Sequence, residues 1–227
     1  MTGFRSSPVR RTAAVGAAAL CTGCLPHVMH GPRIEDDGVS GSLSLTLGRN
    51  RQVGGLESEI LPSLYGGLRT SKVPTDGDGT AASLGVQVPL LIAPVFANDD
   101  TDAFDALTAT SYLDVYLQPK RRPQPGFEWG VGALASTGLA GPYVQVGRMQ
   151  PDGGGWYTTQ LVVFAIGDDF DDDSAYYLPT VVWRYRDPAR TAAANISVGV
   201  GVGVHDRSGT DMLVTLGVTL ELGLRPR

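Results

Sequence analysis

Apolar residues recur at every second position along most of this chain, and this period constrains the fold more than any other feature. Val and Leu alternate with small or polar residues from Val214 to Leu224, and the run from Ile196 to Val204 repeats the pattern. A period of two is that of a β-strand with two different faces, whereas a helix needs a spacing of about 3.6 residues. The sequence therefore predicts an all-β protein with about ten strands, near residues 39–48, 58–70, 79–92, 106–118, 126–136, 141–149, 155–166, 174–186, 193–205 and 211–224.

Turn-forming residues separate these strands at short intervals. Asp76 to Gly79, Pro151 to Gly155 and Asp187-Pro188 combine Asp, Pro and Gly, the residues that tight turns require. Regularly spaced strands of this kind favour an antiparallel meander of hairpins. We therefore expect an antiparallel up-and-down β-barrel, in which an even number of strands returns both ends to the same side.

The residues that alternate with the apolar ones are small or polar. They are Ser and Gly in the ninth strand, Thr and Gly in the tenth, and Thr, Tyr and Asp in the fourth, and the predicted strands contain no Lys. A soluble barrel would need charged side chains to solvate its outer face, whereas a barrel in lipid turns its apolar face outward. The apolar face is thus expected to meet lipid, with charges of both signs paired inside, at Glu59, Arg69, Asp114, Glu128, Arg184 and Glu221.

The N-terminal residues have the layout of a secretion signal. Arg5, Arg10 and Arg11 precede a short, Ala-rich apolar run that ends at Leu20. The following Leu20-Cys21-Thr22-Gly23-Cys24 resembles a bacterial lipobox, which implies cleavage before Cys24 and acylation of that residue. We predict a signal peptide at 1–23, a lipidated N-terminus and tether at 24–38, and a β-barrel domain at 39–227.

Taken together, the chain resembles the small outer-membrane β-barrel proteins of bacteria, here with a lipoprotein-type signal peptide. The resemblance covers about residues 39 to 224 and implies a non-enzymatic barrel in the bacterial outer membrane. Its role would be that of a structural envelope component or of a narrow, largely filled pore, with outer-membrane lipid as its partner. Pro62, Pro89 and Pro179 fall within predicted strands, and each is expected to need a β-bulge.

Two other functions remain open on the sequence. The first is a periplasmic, lipid-anchored protein with a lipocalin-like soluble barrel or a β-sandwich, which would bind a small apolar ligand in its interior. The second is an outer-membrane hydrolase that uses His205, because His205-Asp206-Arg207-Ser208 places a His beside possible nucleophilic and orienting groups.

The remaining features predict few ligands. A net charge of -5 provides no basic surface for nucleic acid. The Cys21, Cys24, His27 and His30 series is too compact to wrap a metal ion, so we predict neither a metal site nor a cofactor. Acidic clusters could bind divalent cations if the two loops that carry them approach one another, namely Asp99, Asp100, Asp102 and Asp105 with Asp168, Asp169, Asp171, Asp172 and Asp173.

Overall fold

The alternating segments form ten strands, as the sequence predicts. The computed structural model describes residues 28–34, 37–52, 60–75, 79–91, 111–119, 126–137, 139–165, 175–187, 192–205 and 209–224. Most strand ends lie within two residues of their predicted positions, although the fourth strand begins six residues later. The strands are β1 Gly38–Gln52, β2 Ile60–Lys72, β3 Thr80–Leu91, β4 Tyr112–Pro119, β5 Gly126–Ala135, β6 Leu139–Met149, β7 Gly155–Ala165, β8 Ala175–Asp187, β9 Ala192–His205 and β10 Gly209–Leu224.

Each strand pairs with its neighbours in sequence, and β10 pairs with β1, so the sheet closes into a barrel. All ten pairings are antiparallel, and the closing pair runs from Val39 opposite Leu224 to Gln52 opposite Asp211. β1 therefore begins and β10 ends at one end of the barrel, the terminal end. The opposite end, the loop end, holds the β1–β2, β3–β4, β5–β6, β7–β8 and β9–β10 connections. Because one closed sheet forms, the β-sandwich alternative is wrong.

Every strand directs apolar side chains outward. Leu45, Leu84, Val115, Val198 and Leu216 are representative, each with more than two fifths of its surface exposed. A lipocalin-like soluble barrel would instead direct this set inward, so the structure does not support that alternative. Lys72, at the end of β2, is the exception to the predicted absence of Lys from strands. Within the described residues, no helix is long and apolar enough to cross a membrane.

Of the three prolines expected to need a bulge, Pro89 coincides with one. Next to it, the β2–β3 register shifts between Leu64 and Tyr65. At Pro179 the β8–β9 pairs are interrupted between Tyr177 and Thr180, but the register is the same on both sides, so the predicted bulge is absent. Pro62 needs no bulge, because it lies beyond the last β2–β3 pair, where β2 pairs with β1.

Tyrosine side chains fill much of the interior. Tyr116 and Tyr143 are almost completely buried and stack with a centroid distance of 5.8 Å. They come from the two strands that flank β5, and they cover Gly130 and Gly132 of that strand. Tyr157 and Tyr176 also point inward. The lumen is thus packed with large rings, which lie over glycines that leave room for them.

We expect Gly130→Ala to destabilise the barrel. The added Cβ would overlap the Tyr116 hydroxyl and lie 2.8 Å from the Leu117 carbonyl oxygen, so the expected loss is about 1–3 kcal/mol. Urea unfolding in detergent micelles measures the free energy of unfolding. Gly41→Ala is the matched control, because its Cβ would lie 3.9 Å from the nearest atom and should leave stability unchanged or slightly raised. Equal effects of the two substitutions would contradict this packing.

Candidate functional site in the barrel lumen

The described part of the predicted tether lies inside the barrel. Residues 28–34, here called the lumenal segment, enter from the terminal end, and Met29 and His30 are only 3% and 7% exposed. No periodicity marks this segment in the sequence. The structure thus gives residues 28–34 an internal position that the sequence analysis did not predict.

Barrel side chains bind the backbone of the lumenal segment. The His30 carbonyl oxygen accepts hydrogen bonds from Gln145 Nε2 at 2.7 Å and from the Tyr157 hydroxyl at 3.1 Å. The Tyr116 hydroxyl donates to the Pro32 carbonyl at 2.9 Å, and the Ile34 amide donates to Gln118 Oε1 at 2.6 Å. A buried backbone without partners is costly, so these side chains replace the strand neighbours that the segment lacks.

Arg33 anchors the segment near the terminal end. Its Nε donates to Glu128 Oε1 at 2.7 Å, and its Nη2 forms an ion pair with the same carboxylate. Gln118 Nε2 donates to the other oxygen of Glu128 at 3.2 Å. Glu128 was predicted to be inside and paired, and its partner is a residue of the lumenal segment.

His30 occupies the centre of a buried polar cluster. Its Nδ1 lies 2.8 Å from the Gly31 carbonyl, which can only accept, so Nδ1 carries a proton. The Tyr143 hydroxyl lies 2.9 Å from His30 Nε2 and 2.6 Å from Asp114 Oδ1. Asp114 also pairs with Arg69, which donates to Ser83 at 3.1 Å. A chain of polar contacts thus links the lumenal segment to β2, β3, β4 and β6.

A second buried ion pair joins β8 to β10. Arg184 Nη1 donates to Glu221 Oε1 at 2.6 Å and to Asn195 Oδ1 at 3.2 Å. Its Nε reaches the Gly153 carbonyl at 3.2 Å, and its side chain packs over Gly31. Arg69, Asp114, Arg184 and Glu221 therefore confirm the prediction that opposite charges pair inside, while Glu59 lies outside the described residues.

Toward the loop end, the interior is apolar. The side chains of Leu134, Leu139, Leu161, Val163 and Leu178 form one buried cluster with Met29 and with tyrosines from β2, β4, β6 and β8. The polar clusters and the lumenal segment occupy the terminal half. The described lumen is consequently filled from both directions, although a cavity remains beside the lumenal segment.

That cavity, of about 160 Å³, separates the lumenal segment from one side of the barrel wall. Ser42, Gly67 and Gly85 supply small side chains or none on β1, β2 and β3, and Gln87 lies deeper on β3. Arg69, Arg184 and Arg186 also line it. The sequence analysis did not identify this set, because no local pattern marks which inward residues line a cavity.

The structure does not test the residues predicted for lipidation, cation binding or catalysis. Cys24, Asp206, Arg207, Ser208 and both acidic loops lie outside the described residues, and the His205 side chain is not described. Among the described residues, no group of three or more His, Cys, Asp or Glu side chains could hold a metal ion. Acylation at Cys24, cation binding and His205 chemistry therefore stay predictions.

Comparison with known proteins gives only distant likenesses. No protein-family profile matches the chain, and no curated protein matches it. Ail, the attachment invasion locus protein of Yersinia pestis, is 9% identical at a TM-score of 0.31, over 83% of this chain and 100% of that one. The S-type phycobiliprotein lyase CPES from Guillardia theta is 9% identical at a TM-score of 0.32, over 82% of this chain and 88% of that one.

A Rhodopseudomonas blastica porin triple mutant is 10% identical at a TM-score of 0.23, over 82% of this chain and 99% of that one. All three TM-scores are too low to carry an argument about fold or activity. The fold is defined by the closed strand pairing.

We expect Asp114→Ala to cost about 3–5 kcal/mol of unfolding free energy, because it leaves the Arg69 charge in the lumen without its carboxylate. Lys72→Ala is the control, since it breaks an ion pair with Asp37 in which the Lys72 side chain is 80% exposed. That exposed pair should contribute at most about 1 kcal/mol. Urea unfolding in micelles compares the two variants, and similar losses would contradict a structural role for the Asp114 cluster.

Proposed function

We propose that this protein is a non-enzymatic β-barrel of the bacterial outer membrane, anchored by its strands and by a lipid on Cys24. The observation that carries the proposal is the apolar outer surface. Exposed large apolar side chains occur on all ten strands, and the buried ion pairs lie on the opposite face of the wall. A soluble protein rarely exposes a contiguous apolar patch above a few hundred Å², whereas lipid favours this arrangement.

The strand lengths suit this environment. A tilted strand crosses the hydrocarbon layer with about 9–11 residues. Nine of the ten strands have at least ten residues, and β4 has eight. Closure pairs β1 with β10, so the wall has no open edge that would leave backbone groups without partners in lipid.

Aromatic side chains support a particular placement of the interface. Phe127, Trp129, Trp156, Trp183 and Tyr185 point outward on β5, β7 and β8, in the parts of those strands nearer the terminal end. Rings of this type concentrate where a barrel meets the lipid headgroups. We therefore place one headgroup layer around this end.

The filled lumen favours a structural role over a conduit. Small barrels of about eight strands are filled by side chains, and aqueous channels belong to barrels of about sixteen. Here the tyrosines, the loop-end apolar cluster and the lumenal segment occupy the interior. We infer an envelope component without bulk solute transport. With the terminal end in the periplasm, both acidic loops would face outward and could bridge lipid headgroups through divalent cations.

The proposal is tested by extraction of membranes from an expressing bacterium. We expect the protein to resist extraction by alkaline carbonate. We also expect boiled and unboiled samples to migrate differently on a detergent gel, because a closed membrane barrel stays folded in the detergent until the sample is boiled. Cys24→Ala should retain both properties, since the strands alone span the layer. Release of Cys24→Ala as a soluble protein would overturn the membrane-spanning proposal.

Charge substitution along β10 tests the depth of the lipid face. Leu216→Arg, near the middle of the strand, should cost about 2–4 kcal/mol in lipid, and Leu222→Arg, near its end, about 0–1 kcal/mol. Both leucines are about half exposed, at 49% and 58%, so the rest of the protein covers the two side chains to a similar extent. Unfolding in phospholipid vesicles measures the difference. A soluble barrel would tolerate both changes equally.

A further inference from the structure

The outer face of the barrel carries an amide side chain midway along β7, at Gln160. Thr159 and Leu161 are buried, so Gln160 points outward together with Trp156 and Phe164 of the same strand. The outward charged side chains that the structure describes in strands lie within one residue of a strand end, at Lys72, Arg148 and Asp187. Gln160 is thus the only outward amide or charged side chain described in the middle of a strand.

Gln160 lies near the middle of the proposed lipid layer. Trp156, one of the outward aromatic residues near the terminal end, is four residues away, which is about 13 Å along the strand. For a strand tilted by about 40°, this distance corresponds to about 10 Å of depth, and the apolar band of a membrane barrel is about 25 Å tall. Water and lipid headgroups are therefore out of reach of the amide.

The barrel wall satisfies only part of this amide. The Tyr177 hydroxyl, on the adjacent strand β8, donates a hydrogen bond to Gln160 Oε1. Gln160 Nε2 carries two N–H donors, and no described residue accepts a hydrogen bond from it. A donor without an acceptor is costly in hydrocarbon, because no water is present to replace the missing partner. The Nε2 group therefore calls for an acceptor on another molecule.

The surface around Gln160 allows another wall to approach closely. The side chains beside the amide on β6, β7 and β8 are short and uncharged, namely Val144, Thr158, Val162 and Pro179. The Thr158 hydroxyl donates to the Val146 carbonyl oxygen at 3.4 Å, so its hydrogen bond is made within the wall. Gln160 is consequently the member of this group that offers donors to a partner.

A second copy of the chain supplies the missing acceptor at the right depth. Two barrels related by a two-fold axis along the membrane normal place identical residues at identical depth, so the Gln160 amides of the two copies can face each other. A carboxamide has both donors and an acceptor, and its oxygen has two lone pairs, of which Tyr177 uses one. Two such amides can therefore form a reciprocal pair of hydrogen bonds. Lipid offers its polar atoms only at the headgroups.

We propose that the chain forms a two-fold symmetric dimer in the membrane, in which the outward faces of β6, β7 and β8 meet and the two Gln160 amides bind each other. Hydrogen bonds between polar side chains are an established source of association within a bilayer. The inference rests on the proposed membrane placement, because water would satisfy the same amide on a soluble barrel.

Sedimentation equilibrium of the purified full-length protein in density-matched micelles tests the dimer. We expect a reversible monomer–dimer equilibrium. Gln160→Leu removes the amide at similar volume and should weaken dimerisation about tenfold, as expected for the loss of two hydrogen bonds in a membrane. Thr158→Val is the matched control on the same face of β7, and it should leave the equilibrium unchanged because its hydroxyl binds within the wall.

Three results of this experiment would overturn the proposal. They are a monomer at every protein concentration, unchanged association in Gln160→Leu, and an equal loss of association in Thr158→Val. Heat-modified migration on a gel confirms that each variant is folded before association is compared.

Cross-linking in phospholipid vesicles locates the contact. Cys21→Ala and Cys24→Ala remove the two cysteines of the chain, and Val162→Cys then places a thiol two residues from Gln160. A short bifunctional maleimide should join two copies through this thiol. Leu45→Cys is the matched control, because Leu45 lies midway along β1, which three strands separate from β7, and it should not be joined. Equal cross-linking at both positions would contradict a contact centred on β7.

Carbonate extraction separates failure of the dimer from failure of the membrane placement. A carbonate-resistant, heat-modifiable barrel that stays monomeric would overturn the dimer alone. Release of Cys24→Ala by carbonate would overturn the membrane placement, and the dimer proposal would fall with it.

Discussion

The pairing of β1 with β10 is the constraint on which the rest of the structure depends. It extends over fourteen residue pairs, from Val39–Leu224 to Gln52–Asp211, and it removes both edges that an open ten-stranded meander would leave. An edge strand is a row of backbone donors and acceptors without partners, which is costly next to hydrocarbon. Closure therefore allows the wall to be apolar outside. It also fixes the perimeter, and with it the volume that side chains must fill.

Once the apolar set faces outward, the interior has to be built from the other residues of each strand. In the terminal half many of those residues are polar or charged, and burying them is costly unless they have partners. Arg69 on β2 pairs with Asp114 on β4, and Arg184 on β8 pairs with Glu221 on β10, each across one intervening strand. Glu128 has no such partner on the described wall and is paired by Arg33, so the lumenal segment completes the charge balance as well as occupying the space.

The sequence predicts the wall better than its contents, for a physical reason. Strand positions follow from a local period, and the inward charges follow from the same period once the outer face is known. The lumenal segment has no period. Its contacts join Pro32 to Tyr116 and His30 to Gln145, pairs that are 84 and 115 residues apart in the chain. Such contacts depend on closure and register, so a local pattern cannot reveal them.

The division of the lumen into a packed side and an open side has a different origin from its charge pattern. On β5, glycines at 130 and 132 are covered by tyrosine rings, so the missing side chains create no space. On β3, a Cβ at Gly85 would lie 3.5 Å from the Arg69 guanidinium, and its neighbour two residues on, Gln87, is buried with neither amide atom hydrogen-bonded to a described residue. A buried amide without a partner is costly, so a Leu at 87 would remove that cost at similar volume. The open side is therefore the part of the described lumen where side-chain chemistry contributes least to stability.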